Sequence, residues 1–110
     1  MKLVKCIVRT YKVDEMTDAL RSLDVSGITL TQVAGRGRQR HPTTWFRGVE
    51  YETRYAPRTM LDAVVHDCLV EDVVRAVMET ARTGARGDGR VFVMPVDEAY
   101  TIRTRAGGAD

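Results

Sequence analysis

The chain has 110 residues, 44% hydrophobic and 29% charged, with Lys and Arg exceeding Asp and Glu by two; this is the balance of one ordinary globular domain and excludes fibrous and low-complexity classes. No apolar run approaches the about 20 residues of a membrane helix, and the opening MKLVKCIVRT is too frequently charged for a secretory leader, so a cytoplasmic location is expected. A domain this small buries a modest share of its unfolded surface, which disfavours a deep cleft within one chain and favours ligand sites between subunits.

Residues 3–9, LVKCIVR, alternate with Leu3 and Lys5 on one side and Val4, Cys6 and Val8 on the other, which predicts a first strand. From Val13, the residues Val13, Met16, Ala19, Leu20 and Leu23 recur at helical spacing, with Asp14, Glu15 and Asp18 in the opening turns. They predict a helix that closes near Gly27. Residues 28–33 return to period two as a second strand and run into Gly35 and Gly37, where backbone freedom rises. The stretch 37–57 is long for a connection and rich in Arg, His, Pro and Thr, and loops of such length are usually functional or disordered. TMLDAVVH, after Pro57, predicts a third strand, and LVEDVVRAVMETAR a second helix with Leu69, Val73, Ala76, Val77 and Thr80 on its stripe. Gly84, Gly87 and Gly89 interrupt the chain before the strand VFVMPV, and residues 105–110 read as a flexible tail.

The order strand, helix, strand, strand, helix, strand is the α+β, ferredoxin-like split βαβ arrangement (βαββαβ). It is a single domain over 1–110, whose antiparallel sheet carries both helices on one face. Apolar residues on both faces of the first and third strands, Leu3 and Val4, Ala63 and Val64, predict that the bare face is covered by another copy. Cys6 and Cys68 lie in apolar segments without metal-ligand spacing and are expected in the core. His41 and His66 fall in different elements without neighbouring ligands, so no metal site made by protein alone is expected. Asp62, Asp67, Glu71 and Asp72 read as solvated faces, and no nucleophile with its base is evident.

Two features carry chemistry. Arg36, Arg38, Arg40, Arg47, Arg54 and Arg58 crowd one stretch, which suits either a solvated loop or an anion partner. In TGARGDGRVFV, glycines allow successive amides to turn toward one anion, and Arg86 and Arg90 can neutralise it. No Gly-Lys-Ser/Thr follows, so this is not a Walker loop, and glycine content alone favours an ordinary turn.

The same segment, Thr83, three residues, then Gly87-Asp88-Gly89-Arg90-Val91-Phe92-Val93 and Val96, resembles the carboxy-terminal signature of the PII signalling proteins. The likeness spans nearly the whole chain, with Gly35-Arg36-Gly37-Arg38-Gln39, Arg47-Gly48-Val49-Glu50-Tyr51, Pro57 and Ile102-Arg103 also matching. It implies a homotrimer that binds ATP or ADP in three intersubunit clefts, with Mg2+ accompanying ATP and 2-oxoglutarate as an effector. By position, Gly87, Asp88, Gly89 and Arg90 would form the phosphate loop within residues 83–90, and Thr83 would stand with the residues around the base and ribose. Gly35, Gly37, Arg38 and Gln39 would contribute from the base of the long loop, Thr29 and Val64 from beside the base and ribose, and Arg103 from a neighbouring subunit. Gln39 would help hold magnesium and 2-oxoglutarate, and Arg58 would pair with a carboxylate of that acid. Residues 37–57 would be the target-docking T-loop, with Trp45 and Arg47 as contacts and Tyr51 at the place of a nucleotidylated tyrosine.

The likeness also has departures. Arg90 and Arg58 stand where the family usually has lysine, and FRGVEY differs from the commoner surroundings of the modified tyrosine. Thr101 stands where an arginine is common; losing one charge-assisted hydrogen bond costs about 1.5 to 3 kcal/mol, roughly ten- to a hundredfold in affinity, and Arg105 is the nearest compensating charge. The resemblance implies a regulator of an ammonium transporter, with recruitment to the membrane through it, or of an enzyme of nitrogen assimilation. The alternatives are a relative serving nitrogenase or bicarbonate metabolism with altered nucleotide preference, and, with least support, a slow ATP hydrolase. Neither a stand-alone enzyme nor a nucleic-acid binder is expected.

Overall fold

Burial along the first strand, β1 (Lys2–Arg9), alternates strictly: Val4, Cys6 and Val8 are buried, whereas Leu3, Lys5 and Ile7 are half-buried. The computed structural model describes residues 1–25, 27–35, 43–46, 49–52 and 56–108, the side chains of 35–56 excepted. After β1 come α1 (Val13–Arg21), β2 (Ile28–Gly35), the short strands β3 (Thr43–Phe46) and β4 (Val49–Glu52), β5 (Ala56–Val65), α2 (Val70–Ala81), β6 (Gly89–Pro95), and two short strands, β7 (Tyr100–Thr101) and β8 (Ala106–Gly107).

The main sheet has four strands in the order β2-β5-β1-β6, every neighbouring pair antiparallel. With the β3–β4 hairpin set aside, this is the ferredoxin-like split βαβ topology that the element order predicts. Register aligns Val4 with Ala63 and Val93, and Cys6 with Leu61 and Val91, so one face presents a continuous apolar floor. Met16 and Leu20 of α1 and Val73, Val77 and Ala81 of α2 pack onto it, all at most 5% exposed. The helices can do so because their apolar residues recur at four-residue steps, while Asp14, Glu15, Glu71 and Asp72 occupy the first turns, where carboxylates favour the helix dipole. The buried Thr59 hydroxyl donates to the Thr10 hydroxyl at 3.1 Å, which relieves it of an unpaired polar group.

Among the described residues, no helix covers the opposite face. Leu3, Ile7, Met60 and Val64 are half-buried there, and Phe92 and Met94 are 41% and 37% exposed. Lys5 and Asp62 pair across β1 and β5 at 3.6 Å in the middle of this apolar field.

Several sequence expectations need correction. Asp62 is half-buried on the open face, and its Oδ1 lacks a hydrogen bond, so it is not a solvated residue. Asp67 is exposed, in line with the sequence expectation, and takes the Met1 ammonium at 2.6 Å. Cys68 is exposed, because it sits in the turn Asp67–Leu69 one residue before Leu69 reaches the core; Cys6 is fully buried, and that burial pushes its thiol up to about 11. The first helix ends at Arg21, short of Gly27: Asp24 takes a φ of 62°, and the Val25 amide returns to the Leu20 carbonyl at 3.1 Å. Thr80 is half-buried and donates its hydroxyl to the Ala76 carbonyl at 2.8 Å, and Ala81 is the buried residue at the end of the α2 stripe. Through Gly108 the tail is a hairpin, held by Arg105 N to Thr101 O at 2.8 Å and Gly108 N to Ala99 O at 3.0 Å.

Candidate functional site

Three strand ends meet where β1 finishes and β6 begins. Register sets Arg9 opposite Arg58 and Ile7 opposite Met60 and Arg90, while Val8 faces Gly89. Gly89 is required at that point: its φ is 113°, and a Cβ built on it would stand 1.7 Å from the Ile7 carbonyl oxygen. Only glycine lets the loop enter the sheet so close to β1.

Residues 83–88 are held by one carboxylate. Asp88 Oδ2 accepts the backbone N–H of Thr83 at 2.8 Å and of Gly84 at 2.9 Å, and Oδ1 accepts the Thr83 hydroxyl and Arg9 Nε, the latter at 3.2 Å. The Thr83 hydroxyl oxygen in turn accepts the Ala85 amide at 3.2 Å, and Arg9 Nη2 donates to the Arg86 carbonyl at 2.8 Å. The Thr83 hydroxyl first, then these amides and Arg9, hold the Asp88 carboxyl well below the usual carboxylate range.

Asp88 therefore organises the loop, and its oxygens are already occupied. Among the described residues no carboxylate lies within ion-pair distance of Arg58 or Arg90. Arg58 donates to the Pro57 carbonyl at 2.8 Å, and burial, then the adjacent Arg9 charge, lower its guanidinium from the ordinary value. The Arg90 guanidinium lies 5.8 Å from the Phe92 ring centre, on the open face. On the helix side of the same end, between α2 and β6, a cleft of about 200 Å³ is lined by Val8, Val77 and Val91 together with Arg82, Asp88 and Arg90. An apolar floor beside guanidinium groups that no described carboxylate pairs at ion-pair distance suits a ligand with a flat apolar part and an anionic part.

The other end of the sheet is built differently. Arg103 is exposed in the turn joining β7 to β8, and with His66, Thr101 and Thr104 it borders an open hollow of about 590 Å³. The two ends are separated by the length of β1, which at about 3.3 Å per residue is roughly 23 Å.

Over residues 1–106 the chain matches the family described as Nitrogen regulatory protein P-II. It is 40% identical over 110 residues to the nitrogen regulatory protein P-II of Azospirillum brasilense, covering 100% of this chain and 98% of that one. The chain belongs to the nitrogen regulatory protein P-II family. The P-II protein of Rhodospirillum rubrum is 39% identical with the same coverage, and that of Haemophilus influenzae 40% identical over 104 residues, covering 94% of this chain and 93% of that one. These are regulatory proteins by name, and among the described residues of this P-II chain no helix is long and apolar enough to cross a membrane.

The P-II chain brings Arg58, Thr83, Gly87, Asp88, Gly89 and Arg90 to one end of the sheet, with Gly35 closing β2 there opposite Ala56. It does not bring Thr29, Val64 or Arg103 to them. Thr29 pairs with Asp62 at mid-sheet, Val64 faces Leu3 toward the far end, and Arg103 lies beyond that end. Gly37, Arg38, Gln39 and Arg47 lie outside the described residues; Trp45 and Tyr51 fall in the hairpin, opposite Glu50 and Thr44, and their side chains lie outside the description. One residue escaped the sequence reading altogether. Arg9 reaches Asp88 across 79 positions of sequence, and its only local signal is a charge at the end of an otherwise apolar strand.

Proposed function

We propose that this chain is a nucleotide-responsive signalling regulator of nitrogen metabolism. Its copies assemble as a homotrimer through the open sheet face, and ATP or ADP binds in the clefts between them. In this reading the phosphates lie on residues 83–90 near Arg90, Arg38 joins from the long loop, and Arg103 arrives from a neighbouring copy. Mg2+ accompanies ATP beside Gln39, whose amide oxygen suits a hard cation, and 2-oxoglutarate binds with a carboxylate on Arg58. Ligand occupancy shifts the population of conformations of residues 37–57, and a target binds one of them. The target is an ammonium transporter or an enzyme of nitrogen assimilation, met in the cytoplasm or at the membrane through the transporter, with Trp45 and Arg47 in the contact and Tyr51 open to nucleotidylation.

The observation that carries this reading is the division of the candidate residues between two ends of one sheet about 23 Å apart. Each end is half a site, and an apolar face suited to self-association lies between them. Calorimetric titration with ATP, ADP and AMP, each with and without Mg2+ and 2-oxoglutarate, is expected to show adenine-nucleotide binding, with Arg90→Ala and Arg103→Ala weakening it and Arg47→Ala sparing it. No binding of any of the three nucleotides would sink the reading.

A second reading within the same family rests on Thr101, which is half-buried and paired with Ala106 in β7–β8. With a hydroxyl in place of a cation, the phosphate end is less positive, which favours ADP relative to ATP and a regulator tied to carbon metabolism or nitrogenase. A tighter Kd for ADP than for ATP with Mg2+, reversed by Thr101→Arg, supports it.

A further inference from the structure

A loop that is to receive a phosphate carries a carboxylate, Asp88, between the two glycines of its turn. We infer that Arg9 is the positioning residue that makes this loop compatible with an anion. The inference rests on the nucleotide reading above and assigns to it a residue that lies outside the glycine-rich motif.

The two oxygens of Asp88 receive four donors: the Thr83 hydroxyl, the Thr83 and Gly84 amides at 2.8 and 2.9 Å, and Arg9 Nε at 3.2 Å. That occupies about all the lone-pair sites a carboxylate offers. Of the four, only Arg9 brings a charge, so Arg9 is the contact that most directly offsets the field Asp88 would otherwise direct at an incoming phosphate. The same guanidinium takes the Arg86 carbonyl at 2.8 Å, which holds a second negative dipole of the loop toward β1. One planar fork thus restrains the loop at residues 86 and 88, while the side chain itself is only 19% exposed. A lysine offers a single point of charge and is suited to one of these contacts at a time. Arg9 is placed for the task by register: it ends β1 beside the Val8–Gly89 pair, opposite Arg58. The Arg58 charge across the strands makes the position costly for a cation unless Asp88 is there.

The test is ATP titration by calorimetry on wild type, Arg9→Ala, Arg9→Lys, Asp88→Asn and the Arg9→Ala/Asp88→Asn double variant, with thermal melts to establish folding. Arg9→Ala is expected to weaken ATP about tenfold, and Arg9→Lys about threefold. In the Asp88→Asn background the Arg9→Ala penalty should shrink to within about twofold, because the charge Arg9 offsets is gone. A merely structural Arg9 gives the same penalty in both backgrounds, and that outcome overturns the inference, as does an Arg9→Ala protein that binds like wild type. If Arg9→Ala does not fold, Arg9→Lys decides: wild-type affinity in that variant overturns the proposal. Failure of the wild type itself to bind ATP removes the nucleotide reading and this role with it, whereas wild-type binding indifferent to Arg9 removes this role alone.

Discussion

The two faces of the sheet are made from alternate residues of the same strands, yet they end in different environments. On the helix side, Val4, Cys6 and Leu61 have no exposed surface. One residue along in each strand, Leu3, Ile7 and Met60 are only half-buried, Phe92 and Met94 more exposed, and a Lys5–Asp62 pair sits among them. Among the described residues both α-helices lie on one side, so these elements complete one face only. The difference separates what holds the single chain's fold together from the face proposed for self-association, and it gives each face a distinct response to substitution.

The largest effect is expected on the helix side. Leu61→Ala should cost about 3 kcal/mol of unfolding free energy by denaturant titration, since a fully buried leucine leaves a cavity that packed helices cannot close. Next comes Gly89→Ala, where the Cβ meets the Ile7 carbonyl and φ is positive; a loss of about 2 kcal/mol is expected, with the β1–β6 pairing at Val8 opened. On the open face, Phe92→Asp should leave the far-UV circular dichroism unchanged and reduce the mass in light scattering to a single chain. A variant that unfolds, or one that stays fully assembled, would break the comparison.

Two smaller effects sharpen it. Asp88 is held below its unfolded carboxyl value, so the stability it contributes is present above about pH 4 and is lost as the pH falls through the more acid range where the folded-state carboxyl protonates. Asp88→Asn should flatten that acid limb of the stability curve, and an unchanged limb would remove Asp88 from the account. The cysteines should separate most simply. A thiol reagent at mildly alkaline pH is expected to label the exposed Cys68 in the native protein and to spare Cys6, whose thiol is buried and raised to about 11. Equal labelling would place β1 outside the core.

Much of this was legible locally. Period two in LVKCIVR placed Val4, Cys6 and Val8 on the core side, helical spacing placed Met16, Leu20, Val73 and Val77 against them, and the GDGR segment pointed to the family. The misses share a cause: each turned on where a residue stands relative to something distant. Cys68 looked apolar in context but lies one position outside the buried stripe. Asp62 looked solvated but meets Lys5 across the strand pair. In the loop, Gly89 looked like a donor of backbone freedom to an anion, and its close approach to Ile7 shows that the sheet itself demands glycine there.

The sequence by itself determined the order of the two helices and the four strands of the main sheet, the core-facing residues of the first strand and the family, because periodicity and a contiguous motif are local properties that need no partner to be read. Only the tertiary structure decided that Arg9 closes on Asp88 across 79 positions, that Arg58 stands beside Arg9, and that Arg90 and Arg103 lie at opposite ends of one sheet. Those relations come from antiparallel register and from the route of the chain between strands, which bring distant residues together and hold near ones apart.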